Sequence, residues 1–164
     1  MSPRDTSDHY PLWVALTRTH YFLRRLREKE LKKMGLSIAQ STVLAIIHRS
    51  ESGTFDATPA EIAKQLLRAP STTTELIDRM VEQEMVKKVQ DLDRKNMVRV
   101  EMTDWGRELY YKSIEVEYFK KIFSKLTVKR RQRLVSYLNT LANSAMDNIY
   151  NKRGTSGRRN PMSI

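Results

Sequence analysis

TPAEIAKQLLRAPSTTTELIDRMVEQEMVKKVQDLDRKNMVRVEMT, residues 58–103, contains two short helical periods, a break between them, and then a switch from helical spacing to alternation. Thr58-Pro59-Ala60-Glu61 reads as a capping box with proline at the first helical position, where a missing N–H costs nothing. The helix it opens is expected from Pro59 to about Leu67, with Ile62, Ala63 and Leu66 as its apolar face. Arg68 and Ala69 make a tight break. Pro70 then opens a second helix, Ser71 to about Glu84, with Leu76, Ile77, Met80 and Val81 turned inward. Two short helices joined so closely form a helix-turn-helix pattern. Beyond Met85, Val98, Val100 and Met102 share one face and Met97, Arg99 and Glu101 the other, as a strand requires. Val86 to Gln90 is the weaker partner strand, and the polar link Asp91 to Asn96 closes a hairpin.

Upstream, Pro11 to Met34 places Leu12, Leu16, Leu23, Leu26 and Leu31 at mostly helical spacing and stops at Gly35. Ser37 to Gln40 is a capping box for a helix reaching about Arg49, with Val43, Leu44 and Ile47 inward. Glu51 to Asp56 is a loop. Downstream, Thr103 caps one long helix through Gly106, Leu109, Tyr110 and Ile114 to about Phe123. Thr127 caps the last helix, whose Leu134, Leu138, Leu141, Ala145 and Ile149 form a seam at spacings of three and four. Asn151 to Ile164 has little to bury and reads as a disordered basic tail.

The 164 residues suit one domain with a real core. With no cysteine, thiolate metal sites, disulfides and thiol nucleophiles are excluded. His9, His20 and His48 lack metal-ligand spacing, so no metal and no cofactor is expected. Phosphate-binding glycine loops, G-x-S-x-G and H-E-x-x-H are absent, which argues against an enzyme. Met1 to Asp8 is polar without an apolar run behind it. The longest apolar runs, Leu12 to Leu16 and Val43 to Ile47, fall far below the roughly 18 residues of a membrane span. A soluble cytoplasmic protein with no membrane partner is the expectation.

A helix-turn-helix followed by a hairpin is a winged helix, and here the chain resembles the MarR family of bacterial transcription regulators over nearly its whole length. The resemblance rests on Leu36 to Gln40 with Val43-Leu44, Glu61-Ile62-Ala63, Ser71 to Thr74, Asp78-Arg79-Met80, Val86, Asp91 to Lys95, and Thr103 to Gly106. Its most specific part is the Asp-x-Asp-Arg-Lys turn followed by Thr-x-x-Gly. The resemblance implies a mainly α fold with a small β-hairpin wing. Residues 1–35 and 104–150 would be dimerisation helices, and residues 36–103 the winged helix-turn-helix DNA-binding lobe, ahead of the tail at 151–164. It also implies a homodimer on a pseudo-palindromic double-stranded operator, and a small aromatic or phenolic effector bound between the two regions. Two departures stand out. The Gly-Leu pair that usually ends the recognition helix is Glu84-Met85, so its left-handed stop is expected to be absent. A position that often carries arginine is Glu75.

Small hydroxyls at Ser71, Thr72, Thr73 and Thr74 let the start of the recognition helix approach a major groove, where the helix dipole also favours phosphate. Arg94, flanked by Lys95 at the hairpin tip, suits a narrow minor groove. Arg68, Arg79 and Arg99 are candidate phosphate clamps or intradomain ion-pair partners. By family position the effector-pocket candidates are Trp13, His20, Tyr21, His48, Tyr110 and Tyr111. The reading these support is a DNA-binding regulator, most simply a repressor released by its effector. The alternatives are a basic protein–protein adaptor on a winged helix scaffold, or an RNA-binding winged helix protein.

The net charge of +11 refines this picture. Residues 58–102 hold eight basic and eight acidic residues, whereas residues 127–164 hold eight basic and one acidic. The excess therefore lies outside the reader. It provides long-range attraction for a polyanion rather than sequence choice.

Overall fold

Ser37 opens the central part of the fold with a capping box. Its hydroxyl accepts from the Gln40 amide at 3.2 Å while the Gln40 side chain accepts from the Ser37 amide at 2.8 Å. In this computed structural model, which describes residues 9–91, 97–115 and 117–150, the element order is α1 (His9–Lys33), α2 (Ile38–Ser50), α3 (Pro59–Leu66), α4 (Pro70–Glu82), β1 (Val86–Asp91), β2 (Met97–Met102), α5 (Asp104–Ile114), α6 (Glu117–Phe123) and α7 (Val128–Tyr150). The two strands pair antiparallel from Val86 opposite Met102 to Asp91 opposite Met97. The architecture is mainly α with a small β-hairpin wing: a winged helix-turn-helix.

The core lies in the middle of the chain. Val43, Leu44 and Ile47 of α2, Ile62 of α3, Ile77 and Met80 of α4, Val86 and Val100 of the hairpin, and Leu109 of α5 are all nearly or fully buried. Leu31 is the buried residue of α1. Burying a side chain of this size stabilises by about 1.5–3 kcal/mol. The segment before α3 joins the hairpin through a backbone bond, from the Val100 amide to the Ala57 carbonyl at 2.9 Å. Helix α7 has no buried residue among its described side chains.

Four expectations are corrected. The helix expected to run unbroken from Thr103 to Phe123 is two helices, α5 and α6. The Arg27 guanidinium donates to the Ser113 carbonyl, which a continuing helix would need, and to the Ser41 hydroxyl at 2.8 Å. It also faces the Phe119 ring at 5.3 Å. The left-handed stop of α4 is present after all: Glu84 itself adopts φ 55°. The Met85 amide then reaches the Met80 carbonyl at 2.9 Å, closing a Schellman-type turn without glycine. The Thr58 box is half formed. Its hydroxyl accepts from the Glu61 amide, but the Glu61 carboxylate turns to Lys64 and Gln65 instead. Helix α4 starts at Pro70 and ends at Glu82, one residue earlier and two residues earlier than the spacing suggested. The tail at 151–164 lies outside the described residues.

Candidate nucleic-acid interface and adjoining cavity

The break between α3 and α4 is built by Leu67, left-handed at φ 54°, after which the Arg68 amide returns to the Ala63 carbonyl at 3.1 Å. An exposed leucine in this conformation costs about 1–2 kcal/mol, so the turn is held by its flanking helices. The chain then enters α4 through Ala69, which offers no side-chain cap, and Pro70, which has no amide proton. The first turn of α4 is therefore open at its positive end.

The four hydroxyls of that turn divide. Ser71 and Thr72 are exposed. Thr74 is exposed and bonds back to the Pro70 carbonyl at 3.0 Å. Thr73 is fully buried, its hydroxyl donating to the Ala69 carbonyl at 3.1 Å. Thr73 is thus removed from the candidate contact surface; helical periodicity turns it inward beside Leu76 and Ile77.

The expected phosphate clamps divide as well. Arg68 and Arg79 are exposed and form no ion pair with a described residue. Arg99 is half-buried and sits 3.7 Å from Asp56, an intradomain ion pair. Arg94 and Lys95 lie outside the described residues. Around the reader, Lys88 pairs with Asp78, tying β1 to α4, and Lys87 pairs across the hairpin with Glu101 at 3.4 Å.

Thr103 joins the recognition helix to the wing and to α5. Its hydroxyl donates toward the Glu84 carbonyl at 2.5 Å and accepts from the Gly106 amide at 3.0 Å. Its own amide donates to the Met85 carbonyl at 3.2 Å. The Thr-x-x-Gly spacing thus has a mechanical basis.

Of the six pocket candidates, three come together. His48 lies 4.4 Å from the Tyr110 ring and 5.9 Å from Tyr111, with the two tyrosines 5.3 Å apart. Trp13, His20 and Tyr21 remain exposed on α1. Beside the cluster, Glu51 accepts two bonds from Arg107, at 2.6 and 3.0 Å, and stands 3.3 Å from His48 Nδ1. Arg107 holds the Glu51 carboxyl below the usual carboxylate range, and Glu51 in turn raises the guanidinium. Burial pushes the Tyr110 hydroxyl up.

An open cavity of about 610 Å³ adjoins this network, at the junction of α2, the 51–57 loop, β2 and α5. Ile47, Phe55, Val100 and Met102 give it apolar walls, and Glu51, Asp56, Arg99 and Arg107 give it charge. None of the six predicted pocket residues lines it; His48 reaches it only through its contact with the lining residue Glu51. The lining residues Glu51, Phe55, Asp56 and Arg107 escaped the sequence reading, which had placed residues 51–56 in a connecting loop. These charges come from separate places, Glu51 at the end of α2, Asp56 in the loop, Arg99 within β2 and Arg107 within α5, so no local spacing announced them.

Residues 36–96 match the family model "MarR family". An uncharacterized HTH-type transcriptional regulator, YsmB of Bacillus subtilis, is 34% identical over 74 residues, covering 44% of this chain and 51% of its own length. The chain thus spans about half of that relative. Among solved structures, BldR from Sulfolobus solfataricus superposes with a TM-score of 0.70 at 18% identity, covering 88% of this chain and 99% of BldR. An organohalide-sensing transcriptional regulator bound to 2,4-dichlorophenol gives 0.67 at 23% identity, covering 97% and 95%. A mutant MarR from E. coli complexed with operator DNA gives 0.66 at 22%, covering 82% and 95%. These structural likenesses establish the fold, and the match over residues 36–96 makes that segment similar to the MarR family.

Proposed function

We propose that this protein is a homodimeric, sequence-specific double-stranded-DNA-binding transcription regulator, and that it represses until a small aromatic or phenolic effector releases it. The observation that carries the reading is the first turn of α4. An uncapped helix start presents Ser71 and Thr72 to solvent in a winged helix whose likeness includes a regulator complexed with operator DNA. Small hydroxyls allow close approach to base edges, and the helix start favours phosphate. Arg68 and Arg79 supply cations on the same unit, and Arg94 with Lys95 would serve the minor groove.

Dimerisation is supported by what one chain leaves uncovered. Leu134, Leu138, Leu141 and Ile149 of α7, and Leu12, Trp13, Tyr21 and Phe22 of α1, are exposed. Apolar surface of this extent marks an interaction face. Two readers held about one helical turn, roughly 34 Å, apart would address a pseudo-palindromic site.

The effector reading rests on the cavity. Its size falls within the range of small-molecule sites, and because Glu51, Asp56 and Glu101 line it beside Arg99 and Arg107, an acidic aromatic compound would bind by displacing a carboxylate from one of the guanidinium groups. One structural neighbour was solved with 2,4-dichlorophenol. A ligand competing for Arg107 or Arg99 would loosen the ties between α5, β2 and the end of α2. That shifts the spacing of the two lobes and lowers DNA affinity by linkage. Footprinting beside the protein's own coding region, repeated with a panel of small aromatic acids, tests both parts. A two-fold protected site lost on adding one acid is the expected result, and equal affinity for every duplex overturns it.

A further inference from the structure

Between Glu117 and Asp147 the chain has no acidic residue and seven basic ones: Lys120, Lys121, Lys125, Lys129, Arg130, Arg131 and Arg133. They surround the elbow between α6 and α7, and all seven are exposed. None forms an ion pair with a described residue. Elsewhere acidic residues are interspersed and several exposed cations are paired, Arg24 with Glu28, Lys33 with Glu30, Lys64 with Glu61 and Lys112 with Glu108. Four of the elbow cations also sit in the first two turns of α7, where the helix dipole opposes them. Such a concentration of like charge is unfavourable unless something outside the chain neutralises it.

A second copy does not neutralise it. Residues 9–33 and 104–150 contain sixteen basic and seven acidic residues, and Glu28, Glu30 and Glu108 already have partners in their own chain. Bringing two such regions together concentrates positive charge further. A lipid surface fits poorly too. Ile122, Phe123 and Leu126 are half-buried, leaving Val128 as the exposed aliphatic side chain of the elbow. Insertion needs a broader apolar face.

We propose that the α6–α7 elbow is a second DNA-binding surface, one that grips the phosphate backbone of duplex DNA without regard to sequence. Helices α6 and α7 have no substantial packing against α3, α4 or the hairpin among the described residues. The elbow is therefore separate from the reading face. Its lysines and arginines suit phosphate oxygens, which position a protein without specifying bases. The surface would hold duplex outside the segment that α4 reads, and it explains why the charge excess avoids the reader.

The test uses full-length protein and a random-sequence 40-base-pair duplex, with affinity measured across a salt series. In a background carrying Ser71→Glu and Thr72→Glu, which disable the reading face, duplex binding persists. Adding Lys129→Gln, Arg130→Gln and Arg131→Gln lowers the salt slope by about 2.7 and weakens binding at low salt by about tenfold or more. A second set, Lys120→Gln, Lys121→Gln and Lys125→Gln, acts in the same direction, with circular dichroism confirming that each set folds. A slope unchanged by both sets overturns the proposal. So does binding to phosphatidylserine vesicles or polyglutamate without binding to duplex. Because the probe carries no operator, a failed footprint would remove the operator reading and leave this measurement standing.

Discussion

Gly106 packs so closely on Met85 that a Cβ added to the glycine would lie 1.9 Å from the Met85 carbonyl oxygen. The first turn of α5 is thereby seated on the residue that ends the recognition-helix turn and begins the wing. The same carbonyl accepts from the Thr103 amide, so it cannot simply swing aside. Gly106→Ala is therefore expected to destabilise by about 3 kcal/mol or more, at the upper end of overpacking effects, in a denaturant melt. Gly53→Ala is the control. Gly53 has open space but φ +78°, so its cost is backbone strain of about 1–2 kcal/mol. Equal losses for the two variants would remove the packing argument.

Glu84 carries the opposite case, a non-glycine residue where glycine fits better. Its left-handed backbone at φ 55° carries strain of about 1–2 kcal/mol. Glu84→Gly relieves that strain and gives back part of the gain through a more flexible unfolded chain. A net stabilisation of about 0.5–1 kcal/mol is expected, read as a higher melting temperature. Glu84→Ala, which keeps a Cβ, is expected to leave stability nearly unchanged.

These two positions show what the sequence disclosed and what it hid. The Thr103 to Gly106 spacing was legible because only glycine admits that approach. The stop at Glu84 was hidden because left-handed backbone is read from glycine, whereas here the Schellman bond from Met85 imposes it on glutamate. The long helix through Phe123 failed for a similar reason. Its apolar spacing continues past Ile114, but Arg27, far away in sequence, captures the Ser113 carbonyl. Thr73 looked like its three hydroxyl neighbours until packing assigned it to the core. Local periodicity gave the elements; contacts distant in the chain decided their ends and the composition of the cavity wall.

Glu51 gives a pH dependence of known sign. Arg107 lowers its carboxyl in the folded protein, so the pair's contribution is complete above the ordinary carboxylate range. It drains as pH falls below that range toward the depressed folded value. The pair is partly exposed, and screening holds its worth under about 1 kcal/mol. Glu51→Gln is expected to flatten the acid side of the stability profile below about pH 5 while leaving the shape above pH 6 unchanged. An acid limb of identical slope in the variant would show that the pair does not contribute.

Leu138 tests the proposed dimer seam from a position that the single chain leaves uncovered. It is 41% exposed, in line with Leu134 and Leu141 at spacings of four and three, and no described side chain of α7 is buried in the protomer. Leu138→Glu therefore puts a charge where one chain pays nothing for it, and the helical content by circular dichroism is expected to match the parent. Two copies facing each other would have to bury that carboxylate, which costs several kcal/mol unless it is neutralised. Sedimentation at micromolar concentration is expected to give a dimer for the parent and a monomer for the variant. Operator affinity should fall with it, because two half-sites bound by separate monomers lose their effective concentration. A variant that remains dimeric would move the interface off this seam, and a variant that is monomeric yet binds operator as tightly as the parent would separate DNA reading from assembly.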